Sequence, residues 1–135
     1  MARTGVRVSA IIKRDGRVLL IHRKKPEAEY WVFPGGGVED FETIEEALVR
    51  EVKEETNLEV ISYKFAFLVP SDNDSKMLNP FYYCEVSNGE ARIIGEEKEN
   101  NSPENYYLLE WKVINGAVTS INLVPNQVKA YLKNL

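Results

Sequence analysis

The sequence predicts an α+β fold (α/β in the broad sense), a mixed β-sheet whose faces are covered by helices. Two observations carry this expectation: β-rich runs recur along the chain, and one amphipathic helix with clear caps interrupts them. The 135 residues suffice for one core and not for two, so residues 1–135 are expected to form a single domain. The 44% hydrophobic and 28% charged composition is typical of globular proteins.

The chain is expected to open with a β-hairpin. Residues 6–12 and 17–23 are β-rich and flank Arg14-Asp15-Gly16, and an Asp-Gly pair between such runs is a strong hairpin signal. Residues 24–30 are polar and predict a loop. The run Pro34-Gly35-Gly36-Gly37 then predicts a break at which no regular element continues.

The remainder of the chain supplies further strands and a last helix. The predicted strands cover residues 58–69, 80–86, 91–94 and 107–113. Asn88-Gly89 predicts a second hairpin turn before residues 91–94, and the acidic stretch that follows predicts a loop. Residues 123–135, opened by Pro125, carry apolar side chains at helical spacing and predict a final helix.

The best-defined predicted element is a central helix. Thr43 and Glu46 form a capping box, which predicts a helix from about Ile44 to Thr56. Asn57 tolerates the left-handed conformation in which helices commonly end. The sequence therefore delimits this helix at both ends.

Glutamates lie among the residues that should form the buried stripe of that helix. The apolar stripe consists of Ile44, Ala47, Leu48 and Val52. At 100° per residue the stripe occupies an arc of roughly 140°, with Glu51 and Glu55 inside it and Glu54 at its edge. Inward carboxylates cost several kcal/mol each unless a positive group compensates them. The compensating group is either a basic side chain such as Arg50 or a metal ion, unless the glutamates simply form solvated surface salt bridges.

The glycine-rich segment before the helix adds further oxygen ligands. A tight loop at residues 35–37 can bring backbone groups, Glu39 and Glu42 next to the helix. Glu42 has an alternative role as a charge that complements the helix dipole. Several converging oxygens are typical of a hard divalent cation such as Mg²⁺, whose octahedron is completed by waters and substrate phosphate.

From Gly36 to Leu58 the sequence resembles the Nudix box of MutT-like Nudix hydrolases. The residues that fill the pattern are Gly36, Glu42, Arg50, Glu51, Val52, Glu54, Glu55 and Leu58. Asn57 replaces the final glycine of the pattern, and Phe41 replaces a glycine often seen before the first glutamate. The resemblance implies the Nudix fold, an α/β/α sandwich in which a mixed sheet is flanked by helices.

The resemblance also implies a reaction and its catalytic residues. Nudix hydrolases use Mg²⁺ or Mn²⁺ to hydrolyse a pyrophosphate bond in a nucleoside diphosphate linked to another group. By resemblance, Glu51, Glu54, Glu55 and Gly36 would hold the metal, and Arg50 would orient the glutamates.

The general base would be a box glutamate or a glutamate of the acidic stretch at residues 95–99. Glu97 and Glu96 are favoured over Glu99 as candidates for the base. A solvated loop is an equally good interpretation of that stretch.

Four residues outside the metal set are candidates for substrate binding: Arg23, Lys24, Phe33 and Asn126. Arg23 and Lys24 would contact phosphate, or form an ordinary polar strand end. Phe33, with Tyr30, would line a base pocket, but Phe33 is equally suited to the core. Asn126 lies where MutT-like enzymes carry a base-reading asparagine, and its alternative role is that of a helix-start residue.

The substrate class expected from the resemblance is a nucleoside triphosphate, cleaved to the nucleoside monophosphate and pyrophosphate. The alternatives are an ADP-ribose or nucleotide-sugar pyrophosphatase and a non-catalytic nucleotide-sensing module. ADP-ribose hydrolases often carry a proline beyond the box, where this chain reads Ser-Asp-Asn-Asp-Ser at residues 71–75. Sensing modules usually lose box glutamates, and all of them are present here, so an enzyme is favoured.

The net charge and the N-terminal sequence indicate which binding partners are expected. A formal charge of −4 and a pI of about 5.2 argue against binding nucleic-acid polymers, so a phosphate ligand needs a local basic site or a metal. Residues 1–16 resemble neither a signal peptide nor a membrane span, which predicts a cytoplasmic protein without a membrane partner. A homodimer is compatible with the sequence. Cys84 and His22 are both expected to be structural strand residues.

Overall fold

The computed structural model describes residues 3–70, 78–93, 101–113 and 120–132. The strands are β1 (Arg3–Arg14), β2 (Arg17–Lys25), β3 (Ala28–Val32), β4 (Gly35–Glu39), β5 (Val60–Pro70), β6 (Leu78–Val86), β7 (Tyr106–Val113) and β8 (Leu123–Val124). The helices are α1 (Ile44–Thr56) and a 3₁₀ helix (Asn126–Ala130). Within these described ranges no helix has the length and apolarity needed to cross a bilayer.

The strands form one mixed sheet. Its order is β5-β6-β1-β2-β3-β8, with β4 also paired to β1 and β7 also paired to β2. β1 runs parallel to β6 and β3 parallel to β8, whereas the other pairs are antiparallel. β1 is shared, because its first half pairs with β4 and its last two residues pair with β2. The predicted mixed sheet and the α+β class are confirmed.

The opening hairpin is confirmed. β1 and β2 are joined by Asp15 and Gly16, whose φ angles are 53° and 76°. Positive φ at both central residues is the requirement of a two-residue type I′ turn, which explains the Asp-Gly pair.

Apolar side chains cover both faces of the sheet. The cluster on the α1 face contains Val8, Ala10, Ile12, Leu19, Val38, Ala47, Leu48, Val52, Leu58, Tyr82 and Cys84. The cluster on the other face contains Ile11, Val18, Leu20, Phe33, Val69, Phe81, Leu123, Val128 and Leu132. Successive residues of a strand point to opposite faces, so β1 and β2 contribute alternate residues to each cluster. Cys84 is a buried core residue, as expected.

The predicted break at the glycines is wrong, because residues 35–39 form strand β4. The glycines allow close pairing with β1: a Cβ on Gly35 would lie 2.0 Å from the carbonyl oxygen of Val8. The predicted loop at residues 24–30 is also wrong. β2 continues to Lys25 and β3 begins at Ala28, since pairing between these strands outweighs their polar composition.

Two later predictions are corrected as well. No strand forms at residues 91–93, where the amide of Arg92 instead donates to the carbonyl of Thr56 at 2.9 Å; residue 94 lies outside the described residues. In place of an α-helix at 123–135, Leu123 and Val124 pair with β3, and a 3₁₀ helix follows Pro125. Residues 133–135 are outside the described part.

Candidate active site

Helix α1 is placed by its predicted caps. The hydroxyl of Thr43 accepts from the amide of Glu46 at 3.0 Å, and the Glu46 carboxylate accepts from the amide of Thr43 at 2.8 Å. Asn57 ends the helix with a φ of 65°, and its amide donates to the carbonyl of Lys53. These local signals set the ends of α1, and burial of its apolar stripe against the sheet sets its rotation, so that Glu51 and Glu55 meet β4.

Glu42, Glu51, Glu54 and Glu55 form what we call the carboxylate cluster. Arg50 lies at its centre. Its guanidinium binds both oxygens of Glu42, at 2.6 Å from Nη2 and 3.1 Å from Nε. Nη1 donates to Glu51 at 2.7 Å and lies 3.3 Å from Glu54, and Nη2 also donates to the carbonyl of Gly37. The hydrogen bonds that Arg50 donates to Glu42 raise the pKa of Arg50 above its ordinary value; burial opposes this rise, and the hydrogen bond to Glu51 adds to it. One side chain thus holds three carboxylates together.

The carboxylate of Glu51 occupies a space that Gly36 leaves open. A Cβ on Gly36 would lie 2.4 Å from Cδ of Glu51 and 2.5 Å from each carboxylate oxygen. The Glu51 side chain is only 13% exposed. Burial raises the pKa of Glu51, and it outweighs the opposing effect of Arg50. An additional cation beside this carboxylate would offset the cost of its burial.

Glu54 and Glu55, the two remaining glutamates of the predicted metal set, differ in how firmly other residues hold them. An oxygen of Glu55 accepts from the amide of Gly35 at 2.6 Å, which ties α1 to the start of β4. The side chain of Glu54 is 56% exposed. Glu54 therefore has the greatest freedom to turn toward a ligand.

The carboxylate oxygens of the cluster are ligands of the kind that bind a divalent cation. Within the described ranges, no three acidic, histidine or cysteine side chains converge on one point, because Arg50 and the Gly35 amide bind the carboxylates. Mg²⁺ is usually held by one or two carboxylates, with waters and substrate phosphate completing its shell. Glu51, Glu54 and Glu55 beside Gly36 satisfy that requirement without a preformed cage.

The two basic candidates do not face one site. The guanidinium carbon of Arg23 lies 4.2 Å from the ring centroid of Tyr107, and Nη1 donates to the carbonyls of Lys24 and Tyr106. Lys24 is the next residue of β2, so its side chain points to the opposite face of the sheet. At most one of Arg23 and Lys24 can face a given site on the sheet, and a phosphate contact by either residue stays a prediction.

The other candidates have different environments. Phe33 is 1% exposed and packs edge to face against Phe81, so the core interpretation of Phe33 is the correct one and the expected base pocket is not lined by it. Asn126 is exposed and begins the 3₁₀ helix. The base candidates Glu96, Glu97 and Glu99 lie outside the described residues.

Sequence reasoning missed a polar network on β2. Nδ1 and Nε2 of His22 lie 2.7 Å from Glu110 and 2.8 Å from Glu29, and its ring stacks on Trp31. Burial raises the pKa of Glu110, but hydrogen bonds from Lys112, Trp31 and His22 outweigh it and leave that pKa lowered. His22 is a structural strand residue, as expected; its partners depend on the register of three strands, which no local signal encodes.

Comparison with known families matches residues 1–114 to the NUDIX domain. The chain belongs to the NUDIX family. The match includes the hairpin, β4 and α1, so the carboxylate cluster of this NUDIX protein lies within it. Members of the family generally use a divalent metal.

Two related proteins illustrate the range of the family. An ADP-ribose pyrophosphatase of Methanocaldococcus jannaschii is 38% identical over 109 residues, which cover 73% of this chain and 64% of that protein. A CTP pyrophosphohydrolase of Escherichia coli is 48% identical over 54 residues, covering 38% of this chain and 40% of that protein. The NUDIX protein thus spans less than two thirds of either relative's length.

Among solved structures, a MutT NUDIX hydrolase from Burkholderia pseudomallei is 32% identical, with a TM-score of 0.65. The alignment covers 81% of this chain and 82% of that one. This agreement supports the fold over about four fifths of the given chain.

Proposed function

We propose that this NUDIX protein hydrolyses a pyrophosphate bond in a nucleoside diphosphate linked to another group, with Mg²⁺ or Mn²⁺ as cofactor. The observation that carries the proposal is the largely buried Glu51 carboxylate, which lies against Gly36 and is bound by Arg50. A purely structural ion pair could lie at the surface and avoid the cost of burying a carboxylate, whereas the Glu51 side chain is only 13% exposed.

Each residue of the cluster has a proposed role. Arg50 and Glu42 form the fixed part, since two hydrogen bonds join them. Glu51, Glu54 and Glu55 supply oxygen ligands beside Gly36. When bound, a divalent cation neutralises phosphate oxygens and lowers the pKa of a coordinated water. The chain's own residues orient that centre and hold the phosphates in line for attack.

The proton acceptor for the attacking water is proposed among two glutamates. Glu54 is more exposed than Glu51 and is held by Arg50 only through contacts of 3.3 and 3.4 Å, so in this alternative Glu54 accepts the proton while Glu51 and Glu55 hold the metal. Glu97 is the alternative from the acidic stretch. Replacing either with glutamine removes a base while keeping the shape of the side chain, so a pH–rate profile distinguishes them.

The proposed substrate is a nucleoside triphosphate, converted to the monophosphate and pyrophosphate. The structural match to a MutT hydrolase and the sequence match to a CTP pyrophosphohydrolase support this choice. ADP-ribose is the second candidate, because the archaeal relative that is 38% identical is an ADP-ribose pyrophosphatase. The proposed partner is a small nucleotide and not a nucleic-acid polymer.

The test compares the parent protein with Glu54→Gln and the control Glu59→Gln. Glu59 follows the helix, and its side chain is 73% exposed. Each protein is incubated with Mg²⁺ and nucleoside triphosphates, ADP-ribose, dinucleoside polyphosphates or nucleotide sugars, and the products are separated by ion-exchange chromatography.

We expect the parent and Glu59→Gln to cleave the same substrate, and Glu54→Gln to be slower by about 10²-fold or more. Cleavage by Glu54→Gln at the parent rate would contradict the proposed role of the cluster. Nucleotide binding without metal-dependent turnover by the parent would favour the non-catalytic sensing alternative.

A further inference from the structure

Strand β5 lies at an edge of the sheet. Among the described residues it pairs with β6 alone, so its outer backbone edge can accept another strand. β5 has 11 residues, about twice the usual length of a strand. Its proline, Pro70, is the last residue and does not block pairing along the rest of the strand.

Aromatic side chains project from β5 on the α1 face. Tyr63 lies directly opposite Cys84 of β6, and Phe65 lies directly opposite Tyr82. Both β6 residues belong to the core cluster on the α1 face, and directly opposite residues share a face. Tyr63 is nevertheless 48% exposed and Phe65 is 54% exposed. Neighbouring apolar side chains that stay exposed are typical of a surface that binds another protein.

The regular part of β5 is short. Its pairing with β6 shifts between Val60 and Ser62, and it shifts again between Phe65 and Phe67. A bulge bends a strand and interrupts its hydrogen-bond ladder, so an added strand pairs best with a stretch that has none. We therefore expect a partner strand to centre on residues 62–65.

A second copy of the chain fits this stretch in one register. When two identical strands pair antiparallel about a two-fold axis, one residue lies opposite its own copy. Lys64 is excluded as that residue, because like charges would then lie directly opposite each other. Ser62 or Phe65 at the axis would bring a bulge into the next pair. With Tyr63 at the axis, Ser62 pairs with Lys64 of the second copy, and these pairs stay within the regular stretch.

The same register brings opposite charges together on the other face of the sheet. Ser62 lies opposite Glu85 of its own chain, and in this register it also lies opposite Lys64 of the second copy. The Cα atoms of Glu85 and that lysine are then about 10 Å apart across the small serine, which two long side chains can bridge. In the described part of the chain, neither Lys64 nor Glu85 makes an ion pair of its own. The two-fold axis forms this pair twice.

We propose that a second copy of this chain adds its β5 to β5, which makes a two-fold dimer with one continuous sheet. Tyr63 lies at the axis and packs against its own copy. Phe65 lies opposite Ile61 of the second copy, which is also exposed in the single chain. The dimer covers the open edge and the apolar side chains together, and it does not depend on the proposed hydrolysis.

The first test measures the mass of the protein in solution. In sedimentation velocity, raising the concentration from low to high micromolar should move the wild type toward twice the 15.5 kDa of one chain. Tyr63→Lys should raise the Kd of the dimer about tenfold or more, because two lysines would meet at the axis. Leu108→Lys is the matched control, because Leu108 is 46% exposed on β7, which pairs with β2. Its Kd should equal that of the wild type.

Cysteine cross-linking tests the register. In Tyr63→Cys the two Cα atoms would be about 4.5–5.5 Å apart, within the range of a disulfide. In Ser62→Cys they would be displaced by two residues and lie about 8 Å apart, beyond that range. Oxidation with diamide should therefore link Tyr63→Cys into dimers and leave Ser62→Cys as single chains on a non-reducing gel. The wild type controls for reaction at the buried Cys84.

Exchanging the charges tests the contact between copies. Lys64→Glu should weaken the dimer, and adding Glu85→Lys should restore it, because opposite charges again meet across the axis. A structural role of either residue within one chain would not produce this rescue.

A wild type that stays monomeric at every concentration would overturn the proposal. So would a dimer whose Kd is unchanged by Tyr63→Lys, or cross-linking of Ser62→Cys without cross-linking of Tyr63→Cys. Phe65→Lys repeats the first test if Tyr63→Lys does not fold by circular dichroism.

Discussion

Replacing Gly36 with alanine tests the carboxylate cluster with one added methyl group. Gly36 is not among the residues with positive φ, so its backbone accepts alanine without strain. The new Cβ would lie 2.4 Å from Cδ of Glu51, whereas non-bonded carbon atoms prefer about 3.5–4.0 Å. The Glu51 carboxylate must therefore move by about 1 Å or more.

Such a movement weakens the 2.7 Å bond between Glu51 and Arg50. A misplacement of about 1 Å can reduce turnover by about 10²-fold, equivalent to about 2.7 kcal/mol of activation free energy. The free energy of unfolding should fall by about 1–2 kcal/mol. This loss lies at the lower end of the range for a hydrogen bond between charged groups, because Arg50 keeps both of its bonds to Glu42.

The assay measures kcat on the substrate identified by product chromatography, and the free energy of unfolding from urea titration. Gly89→Ala is the control, because its Cβ would meet Leu58 at an ordinary 3.7 Å and should change neither quantity. Adding Glu51→Asp to Gly36→Ala should restore part of the lost stability, since the shorter side chain vacates the contested space. Wild-type kcat and stability in Gly36→Ala would refute the assigned position of Glu51.

Two further predictions concern charge. Glu42→Gln should lower the free energy of unfolding by about 1–3 kcal/mol and should also lower kcat. The reason is that Arg50 loses a carboxylate that it binds through two nitrogens. A wild-type free energy of unfolding in urea titration would contradict this prediction. The pKa of Glu110 is lowered in the folded protein, so its stabilising contribution is present above the unfolded pKa, near 4.5, and is lost as pH falls through the folded value. The difference in Tm between wild type and Glu110→Gln should therefore shrink as pH falls below about 4.5, and a constant difference would count against the lowered pKa.

Local signals explain why α1 could be predicted to the residue. Thr43, Glu46 and Asn57 act within a few positions of the helix ends, so their meaning does not depend on the rest of the fold. The inward position of Glu51 followed from the same periodicity, and its neighbour Arg50 could be named as a partner.

Non-local pairing explains what the sequence did not reveal. β4 forms because β1, far away in the chain, lies beside it, and glycines are poor strand formers on their own. The same holds for Leu123 and Val124, which pair with β3 where helical spacing predicted a helix. The position of β5 at the edge of the sheet also depends on pairing between strands that hydrophobic pattern alone does not specify.

The bonds of Arg50 bear on whether the chain must bind a metal ion before it can fold. In small zinc domains the metal supplies the counter-charge without which the ligands cannot be brought together, so folding waits for the metal. Here a guanidinium that is part of the polypeptide already gathers Glu42, Glu51 and Glu54. The protein can therefore fold before the proposed cation binds, and chelation should abolish the proposed hydrolysis without unfolding the chain.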